Sequence, residues 1–430
     1  MEYLADFHIH SRFSRSTSQQ LDLFTLNQWA QLKGLKVVGT GDFTHPKWFS
    51  ELRTGLIPAE PGFFQLKAAT EEYKEPFVPS SCASDVRFVL SAEISTIYKK
   101  NEKVRKVHHL VLMPDLPSVA RLNATLERVG NIKSDGRPIL GLDSRNLLQM
   151  VLDASDDAVV IPAHAWTPHF SILGAKSGFD TIDECYEEFT PYIFAIETGL
   201  SSDPPMNWRL SMLDHIVLVS NSDAHSPSKL AREANVFNTE LSFAAMIKAL
   251  KTKNHQAFKG TIEFFPEEGK YHYDGHRACK KRMSPEETLK NRYRCPVCNR
   301  KVTVGVMHRV LELADCAEDH RPESAFPFQR LIPLVEILAE TFKSGVTSQK
   351  VTRAYFKLLS ELGNELYILR KAPLKDIEMA ASELTAEAVR RVREGNVYIA
   401  PGYDGEYGTI RVFEPGERQE FGSQMSLFNL

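Results

Sequence analysis

"EYLADFHIH" (residues 2–10) is apolar almost from its first residue and ends in two histidines one position apart. In a strand, residues i and i+2 point to the same side, so His8 and His10 aim their imidazoles at one spot. Six further apolar runs follow: "LKVVGTGD" (35–42), "VRFVLSAEIS" (86–95), "HHLVLMP" (108–114), "DAVVIPAH" (157–164), "YIFAIETG" (192–199) and "HIVLVSNSDAH" (215–225). Helix-patterned stretches lie between them, among them 21–33, 144–153 and 241–251. Strand–helix alternation predicts an α/β fold with a parallel sheet or barrel.

Nearly every run ends in histidine or carboxylate: His8 and His10, Asp42 then His45, Glu93, His164, Glu197, then Asp223 and His225. In a barrel of parallel strands, all C-terminal strand ends open on one face, where active sites sit. Any one of these histidines alone is ordinary as a core or surface residue. Their repetition at strand ends points to one shared site. Divalent ions need neutral imidazoles and ionised carboxylates converging in a cleft. The candidate ligands are His8, His10, Asp42, His45, Glu93, His109, His164, Asp223 and His225. A carboxylate such as Glu93 bridges two ions, and ions about 3.5–4 Å apart suit phosphoester hydrolysis.

The chain has 430 residues, enough for two or three domains. Its net charge of -3 argues against a protein coated with basic charge, though not against a local basic face. No apolar run approaches the ~20 residues of a membrane helix. The start shows no basic-then-apolar leader, so cytoplasm, with association to the nucleoid, is the expectation. The expected divisions are 1–265 for the barrel, 266–320 for a basic cysteine module, 321–417 for a mainly helical region and 418–430 for a tail.

Six cysteines are few for this length, and three of them cluster, which reads as metal binding in a reducing compartment. His276-x2-Cys279-x15-Cys295-x2-Cys298 supplies four ligands in two close pairs. Zinc with tetrahedral S/N ligands is the natural occupant, and four protein ligands leave no open position, so the site reads as structural. His272 and His308 compete with His276 as fourth ligand. Residues 276–310 carry ten Lys/Arg against two acidic residues. Arg277, Lys280, Lys281, Arg282, Arg292, Arg294, Arg300 and Lys301 surround the cysteines. A solvated basic face is the plain account, but so many cations on a rigid knuckle favour a grip on a nucleic-acid backbone.

"DFHIHSRFS", "GTGDFTH", "SAEIS", "HHLVL", "IPAHAW" and "SNSDAH" resemble the successive motifs of the PHP (polymerase and histidinol phosphatase) metallophosphoesterases, over about the first 240 residues. The resemblance implies a distorted (β/α)7 barrel with two or three divalent ions, zinc, manganese or magnesium, at the C-terminal strand ends. It makes His8 and His10 the first metal pair, Glu93 the bridging ligand, His164 the mid-barrel histidine, and Asp223 and His225 the closing pair. It prefers His109 over His108, because the family's motif histidine usually precedes the apolar strand directly. Asp42 and His45 are separated where the family places Asp and His side by side, so each stays a candidate. The later "SRFSRSTS" lacks the extra ligand that many members carry there.

A PHP-like segment followed by "GKYHYDGHRAC", "CPVC", "TVGVMHRVLELAD" and "PGYDGEYGTIRVFEPGE" resembles the endonuclease Q family, in a bacterial form, along nearly the whole chain. That resemblance implies a DNA repair endonuclease that nicks 5′ to uracil, hypoxanthine, xanthine or an abasic site and leaves 3′-hydroxyl and 5′-phosphate ends. His8, His10, Glu93 and Asp223 would be its catalytic residues. Reading a base inside a duplex requires flipping it out. A pocket that donates hydrogen bonds to the lesion's carbonyl leaves donors unpaired against a normal base. Trp48, Trp166, Phe170 and Trp208 are available aromatic walls, and Asn207 a polar reader. The tail "QMSLF" (424–428) resembles the peptide that binds the bacterial sliding clamp, with Gln424, Met425, Leu427 and Phe428 as contacts. The alternatives are a small-molecule phosphatase of histidinol-phosphatase type, and a non-catalytic scaffold bound to clamp or DNA.

Overall fold

The computed structural model describes residues 1–67, 78–414 and 416–417. The first strand, β1 (Glu2–Asp6), pairs in parallel with β2 (Val37–Gly39), with Ala5 opposite Val37, and β2 pairs in parallel with β3 (Arg87–Lys100). The crossover helix α1 (Leu23–Lys33) begins two residues later than the periodicity predicts. Asp22 is its cap: the carboxylate accepts from Thr25 N at 2.8 Å and so cannot lie inside the helix. Helices α2 (Ser144–Ala154) and α3 (Phe243–Lys251) are likewise capped, by Asp143 and Ser242.

The all-parallel expectation is corrected after β3. That strand turns directly into β4 (Lys103–Met113), antiparallel, with Lys100 opposite Lys103. Asn101 and Glu102 both have positive φ, 50° and 61°, as a two-residue hairpin of the primed type requires. The two strands were predicted separately because charged residues interrupt the apolar run between them. The strand β5 (Val159–Pro162) joins β4 antiparallel, and β6 (Ala195–Glu197) and β7 (Val217–Val219) form a separate parallel ladder. On the other side of β1, β8 (Ala234–Asn238) and β9 (Phe258–Glu263) run antiparallel, and β10 (Phe328–Arg330) closes the edge parallel to β9. With short strands at Leu56–Pro58, Phe64–Leu66 and Ile139–Leu140, this makes an eleven-stranded mixed sheet.

One apolar cluster draws residues from β1 through β9: Tyr3, Ala5, Val37, Val89, Leu110, Leu112, Ile161, Ala195, Val217, Phe237 and Phe258 pack together. A second, larger cluster fills the space between the sheet and the helices. Beyond the cysteine-rich segment, α4 (Val306–Leu313) precedes five helices: α5 (Leu334–Phe342), α6 (Gln349–Leu362), α7 (Glu365–Arg370), α8 (Leu374–Ala380) and α9 (Glu383–Glu394).

A buried ion pair ties these helices to α1. Glu365 accepts from Lys33 Nζ at 2.5 Å, from Tyr355 Oη at 2.8 Å and from Leu334 N at 3.1 Å. Both charged side chains are 4% exposed. Next to them Gly34 caps α1 at φ 93°, and a Cβ there would sit 2.2 Å from Asn364 Oδ1. Removing one partner of such a pair leaves an uncompensated buried charge and costs about 3–5 kcal/mol. Glu365→Ala should therefore lower the unfolding free energy measured in urea by that order. The double variant Lys33→Met, Glu365→Leu should recover most of the loss.

Candidate metal centre and nucleic-acid interface

Two groups of donors converge on Glu93, which is fully buried. Its Oε2 lies 3.6 Å from His8 Nε2 and 3.4 Å from His10 Nε2. Asp223 Oδ1 joins that group, 3.0 Å from His10 Nε2 and 3.7 Å from His8 Nε2. The other carboxylate oxygen, Oε1, lies 2.5 Å from His108 Nδ1 and 2.9 Å from His164 Nε2. In each group, one atom per residue falls within 4.8 Å of all the others. His8 Nε2 is buried and has no hydrogen-bond partner, as expected of an atom set aside for an ion.

His108, not His109, reaches the site, and strand alternation gives the reason. His108 shares a face of β4 with Leu110 and Leu112, toward the sheet's interior cluster. His109 shares the opposite face with Val107, Val111 and Met113, toward the helices. There its Nδ1 faces Ile94 O at 3.3 Å and its ring meets Tyr186 edge-on at 5.9 Å. Burial pushes the His109 pKa down to about 3. His108→Ala should cut manganese binding by the protein at least tenfold, read by calorimetry, whereas His109→Ala should cost stability and leave metal affinity unchanged.

Neither Asp42 nor His45 stands in either donor group. Asp42 orients: its Oδ1 faces His10 Nδ1 at 3.1 Å, while Oδ2 accepts from Ser11 N, Ser11 Oγ and Ser14 Oγ at 2.6, 2.7 and 2.9 Å. The stretch "SRFSRSTS" thus contributes hydroxyls that fix a carboxylate, rather than a ligand. His45 stacks on Phe13 at 4.5 Å, with Nε2 toward Lys133 O. His225 lies beside His10, ring centroids 4.5 Å apart, with Nδ1 toward its neighbour Asp223 O at 2.9 Å.

Sequence reasoning left Glu197 out of the ligand set, although it marks a strand end. Its carboxylate accepts from His8 Nδ1 at 2.9 Å, from His164 N at 2.7 Å and from Asn221 Nδ2 at 2.8 Å. It fixes the His8 tautomer so that Nε2 is free to ligate. Arg137, which no motif signalled, donates from Nη1 to Glu93 Oε2 at 3.0 Å. Burial would raise the Glu93 pKa, but His108, His8 and Arg137 hold it well below the usual carboxylate range. Burial also opposes ionisation of Asp223, and the hydrogen bond from His10 with the charges of His8 and His10 overcomes it. Burial keeps His108 neutral, with its pKa lowered to about 4. Ionised carboxylates and neutral imidazoles are the states that bind ions; the surrounding carboxylates outweigh burial and raise the pKa of His8 and His10, so an ion would displace the protons held there. Asp42, His164 and Asp223 all have positive φ (49°, 29° and 46°), strain of the kind held at functional sites.

The second constellation is His276, Cys279, Cys295 and Cys298, whose donor atoms also lie within 4.8 Å of one another. The residues after the two knuckles, Lys280 and Asn299, both take left-handed backbone (φ 50° and 61°). Burial opposes ionisation of Cys295, but backbone hydrogen bonds from Cys298 and Val297 bring its pKa down to about 7. His308 is committed elsewhere, to Asp274 Oδ2 at 2.7 Å and Tyr293 Oη at 3.2 Å, and His272 is buried outside the group.

Around the knuckles Arg277, Lys280, Arg282, Arg292, Arg294, Arg300 and Lys301 are exposed and Lys281 half-buried. Among the described residues none of their side chains forms an ion pair with a carboxylate; Arg277 meets one only through its backbone N, which donates to Asp404 Oδ2. Two predicted DNA contacts are corrected. Trp166 and Asn207 are fully buried and already paired: Trp166 Nε1 donates to Asn207 Oδ1 at 2.8 Å, and Asn207 Nδ2 donates to Ser202 Oγ at 3.1 Å and Asp203 O at 2.8 Å. Trp48 is buried too, donating to Gly41 O at 2.8 Å. Trp208 stays half-buried under Arg321, and Phe170 packs on His108 with ring centroids 4.8 Å apart. The tail residues Gln424, Met425, Leu427 and Phe428 lie outside the described residues.

A solved structure of the lesion-specific endonuclease PfuEndoQ from Pyrococcus furiosus superimposes with a TM-score of 0.83 at 31% identity, covering 98% of this chain and 97% of that one. The chain belongs to the endonuclease Q family. A structure of endonuclease Q with a 27-mer duplex bearing an abasic lesion at the active site matches at a TM-score of 0.81 and 30% identity, covering 97% and 98%. The uncharacterized protein YqxK of Bacillus subtilis is 28% identical over 421 residues, 95% of this chain and 98% of that protein. The uncharacterized protein MJ0043 of Methanocaldococcus jannaschii is 30% identical over 289 residues. The chain spans about a third, 35%, of that protein's length. A family model described as the MJ0043 C-terminal domain matches residues 333–396. Relatives from both archaea and a bacterium leave the expected bacterial source without support.

Proposed function

We propose that this protein is a lesion-specific DNA repair endonuclease, a metal-dependent phosphodiesterase that nicks the strand 5′ to a deaminated or abasic nucleotide. The observation that carries the reading is Glu93, whose two oxygens face two separate donor groups, in a chain matching endonuclease Q over its full length. Uracil, hypoxanthine, xanthine and abasic sites are the substrates, and the products carry 3′-hydroxyl and 5′-phosphate ends.

His8, His10, Glu93 and Asp223 would hold one divalent ion, and Glu93, His108 and His164 a second. Ions bound there supply Lewis acidity to the phosphodiester. The chain's own part is positioning. Glu197 and Asp42 lock the two first histidines, and Thr167 Oγ1, 3.1 Å from His164 Nδ1, fixes the third.

The mixed sheet reads as a distorted (β/α)7 barrel, because one apolar cluster draws on every strand from β1 to β9. The divisions 1–265, 266–320, 321–417 and 418–430 belong to this reading. So does one structural zinc on His276, Cys279, Cys295 and Cys298. The cations around it grip the DNA backbone, while Phe170 and Trp208 remain as candidate walls for the extruded nucleotide. The nucleoid is the expected location, and no helix among the described residues is long and apolar enough to cross a membrane.

The test is a set of duplexes, each with one lesion, incubated with the protein and Mn, Mg or Zn, with the nick position and ends mapped. Cutting on the 5′ side of the lesion is expected; cutting undamaged duplex equally well would refute the reading. The sliding clamp is the proposed partner of the tail. Removing residues 424–430 should leave nicking of short duplexes intact and abolish clamp binding in surface plasmon resonance.

A further inference from the structure

Arg137 brings a cation to the centre of a site whose ligands are arranged for cations. Its Nη1 donates to the same Glu93 oxygen that faces His8 and His10. The loop at 131–138 is built to hold it there. Gly136 N donates to Phe13 O at 2.9 Å, and Thr44 Oγ1 donates to Gly136 O at 3.1 Å. Asp135 Oδ1 accepts from Arg15 N and Arg137 N, both at 3.2 Å. Gly136 passes so close that a Cβ would sit 2.4 Å from Asp42 Oδ2 and 2.5 Å from Ser14 Oγ. The loop therefore rests on the carboxylate that orients His10.

A guanidinium in this place repels the ions that the cluster is made to hold. That arrangement becomes favourable when an anion joins the site. A phosphodiester is such an anion, and its negative charge concentrates on the non-bridging oxygens as the attacking oxygen approaches. The guanidinium has donors to spare. Arg137 is 25% exposed at its side chain, and its Nε and Nη2 have no partner among the described residues. A planar fork of N–H groups matches two phosphate oxygens.

We propose that Arg137 is a catalytic residue that binds the non-bridging oxygens of the scissile phosphate through its free N–H groups while Nη1 stays on Glu93. The proposal rests on the endonuclease reading above and names the group that receives the phosphate. A purely structural arginine, present only to neutralise Glu93, would behave differently when replaced.

The experiment compares the full chain with Arg137→Ala and Arg137→Lys. Three quantities are read: binding of inorganic phosphate by calorimetry in Mn²⁺, bound manganese per chain, and single-turnover nicking of an abasic duplex. Arg137→Ala should weaken phosphate binding at least tenfold and slow nicking by about 10²–10³-fold, as loss of one transition-state donor does. Manganese content should not change, and Arg137→Lys should recover part of both losses. Unchanged phosphate affinity overturns the proposal, and so does loss of manganese in step with activity. If the wild type nicks and Arg137→Ala nicks equally fast, the proposal fails and the endonuclease reading stands. If phosphate binding depends on Arg137 but no damaged duplex is cut, the endonuclease reading fails and the phosphate site stands.

Discussion

Asp223→Ala is expected to abolish nicking of a lesion duplex while binding of that duplex persists. Asp223 Oδ1 lies 3.0 Å from His10 Nε2 and 3.7 Å from His8 Nε2, and it belongs to the first donor group. Losing it would leave the proposed first ion with two imidazoles and a shared carboxylate. Metal stabilisation of a phosphoryl transition state is worth several kcal/mol, and ~4 kcal/mol corresponds to about a thousandfold in rate. Affinity for DNA comes mainly from cations on phosphates, and Asp223 removes none of them. Gel-shift affinity should therefore hold while single-turnover rates collapse. A variant that cuts within tenfold of the wild type would show that Asp223 is no ligand. A variant that loses binding and cutting together would assign it a structural role.

Cys295→Ser should produce the second large effect, and a different one. Cys295 is 1% exposed, and its thiol ionises near neutral pH, so the thiolate is ready to ligate. A serine hydroxyl has no comparable affinity for zinc. In a small metal module, binding energy is folding energy, with apparent values of about 10–16 kcal/mol for structural zinc. The variant should lose one zinc per chain and become open to proteolysis at 276–301. Its duplex affinity should weaken and become less sensitive to salt, because the cations around the knuckles lose their fixed positions. The effect should also reach the histidine–carboxylate cluster. Arg309 on α4 donates to Leu173 O, to Phe179 O and to Asp180, so the module is tied to the segment that carries His164 and Phe170. Full zinc content in Cys295→Ser would contradict the assignment.

Much of this site is legible along the chain because its residues recur at the ends of apolar runs, although Glu93 and His108 lie inside β3 and β4. The apolar runs carrying His8, His10, Glu93, His164 and Asp223 each contain or adjoin a strand, and those five residues converge. What the sequence hides is which side of a strand a residue faces and what comes near from afar. His108 and His109 are adjacent, and only the register of β4 against β3, with Leu110 opposite Glu93, decides between them. Asp42 sits where a ligand is expected, but Ser11 and Ser14 turn it toward His10. Arg137 follows no periodic pattern, since a loop delivers it through contacts with residues 13–15, 42 and 44. Trp166 and Asn207 look like base readers because both can hydrogen-bond. Their mutual hydrogen bond, with those from Asn207 Nδ2 to Ser202 and Asp203, uses up that capacity inside the core. The hairpin turn at Asn101 and Glu102 was masked by its charges, although an asparagine with a polar neighbour tolerates positive φ there.

The most direct test of the central claim, that Glu93 joins two ion sites, is anomalous diffraction from crystals soaked in manganese. Two peaks are predicted, one ringed by His8, His10 and Asp223 and the other by His108 and His164, each touching one oxygen of Glu93. A lone ion away from Glu93, or a peak on His109 or His45, would contradict the account.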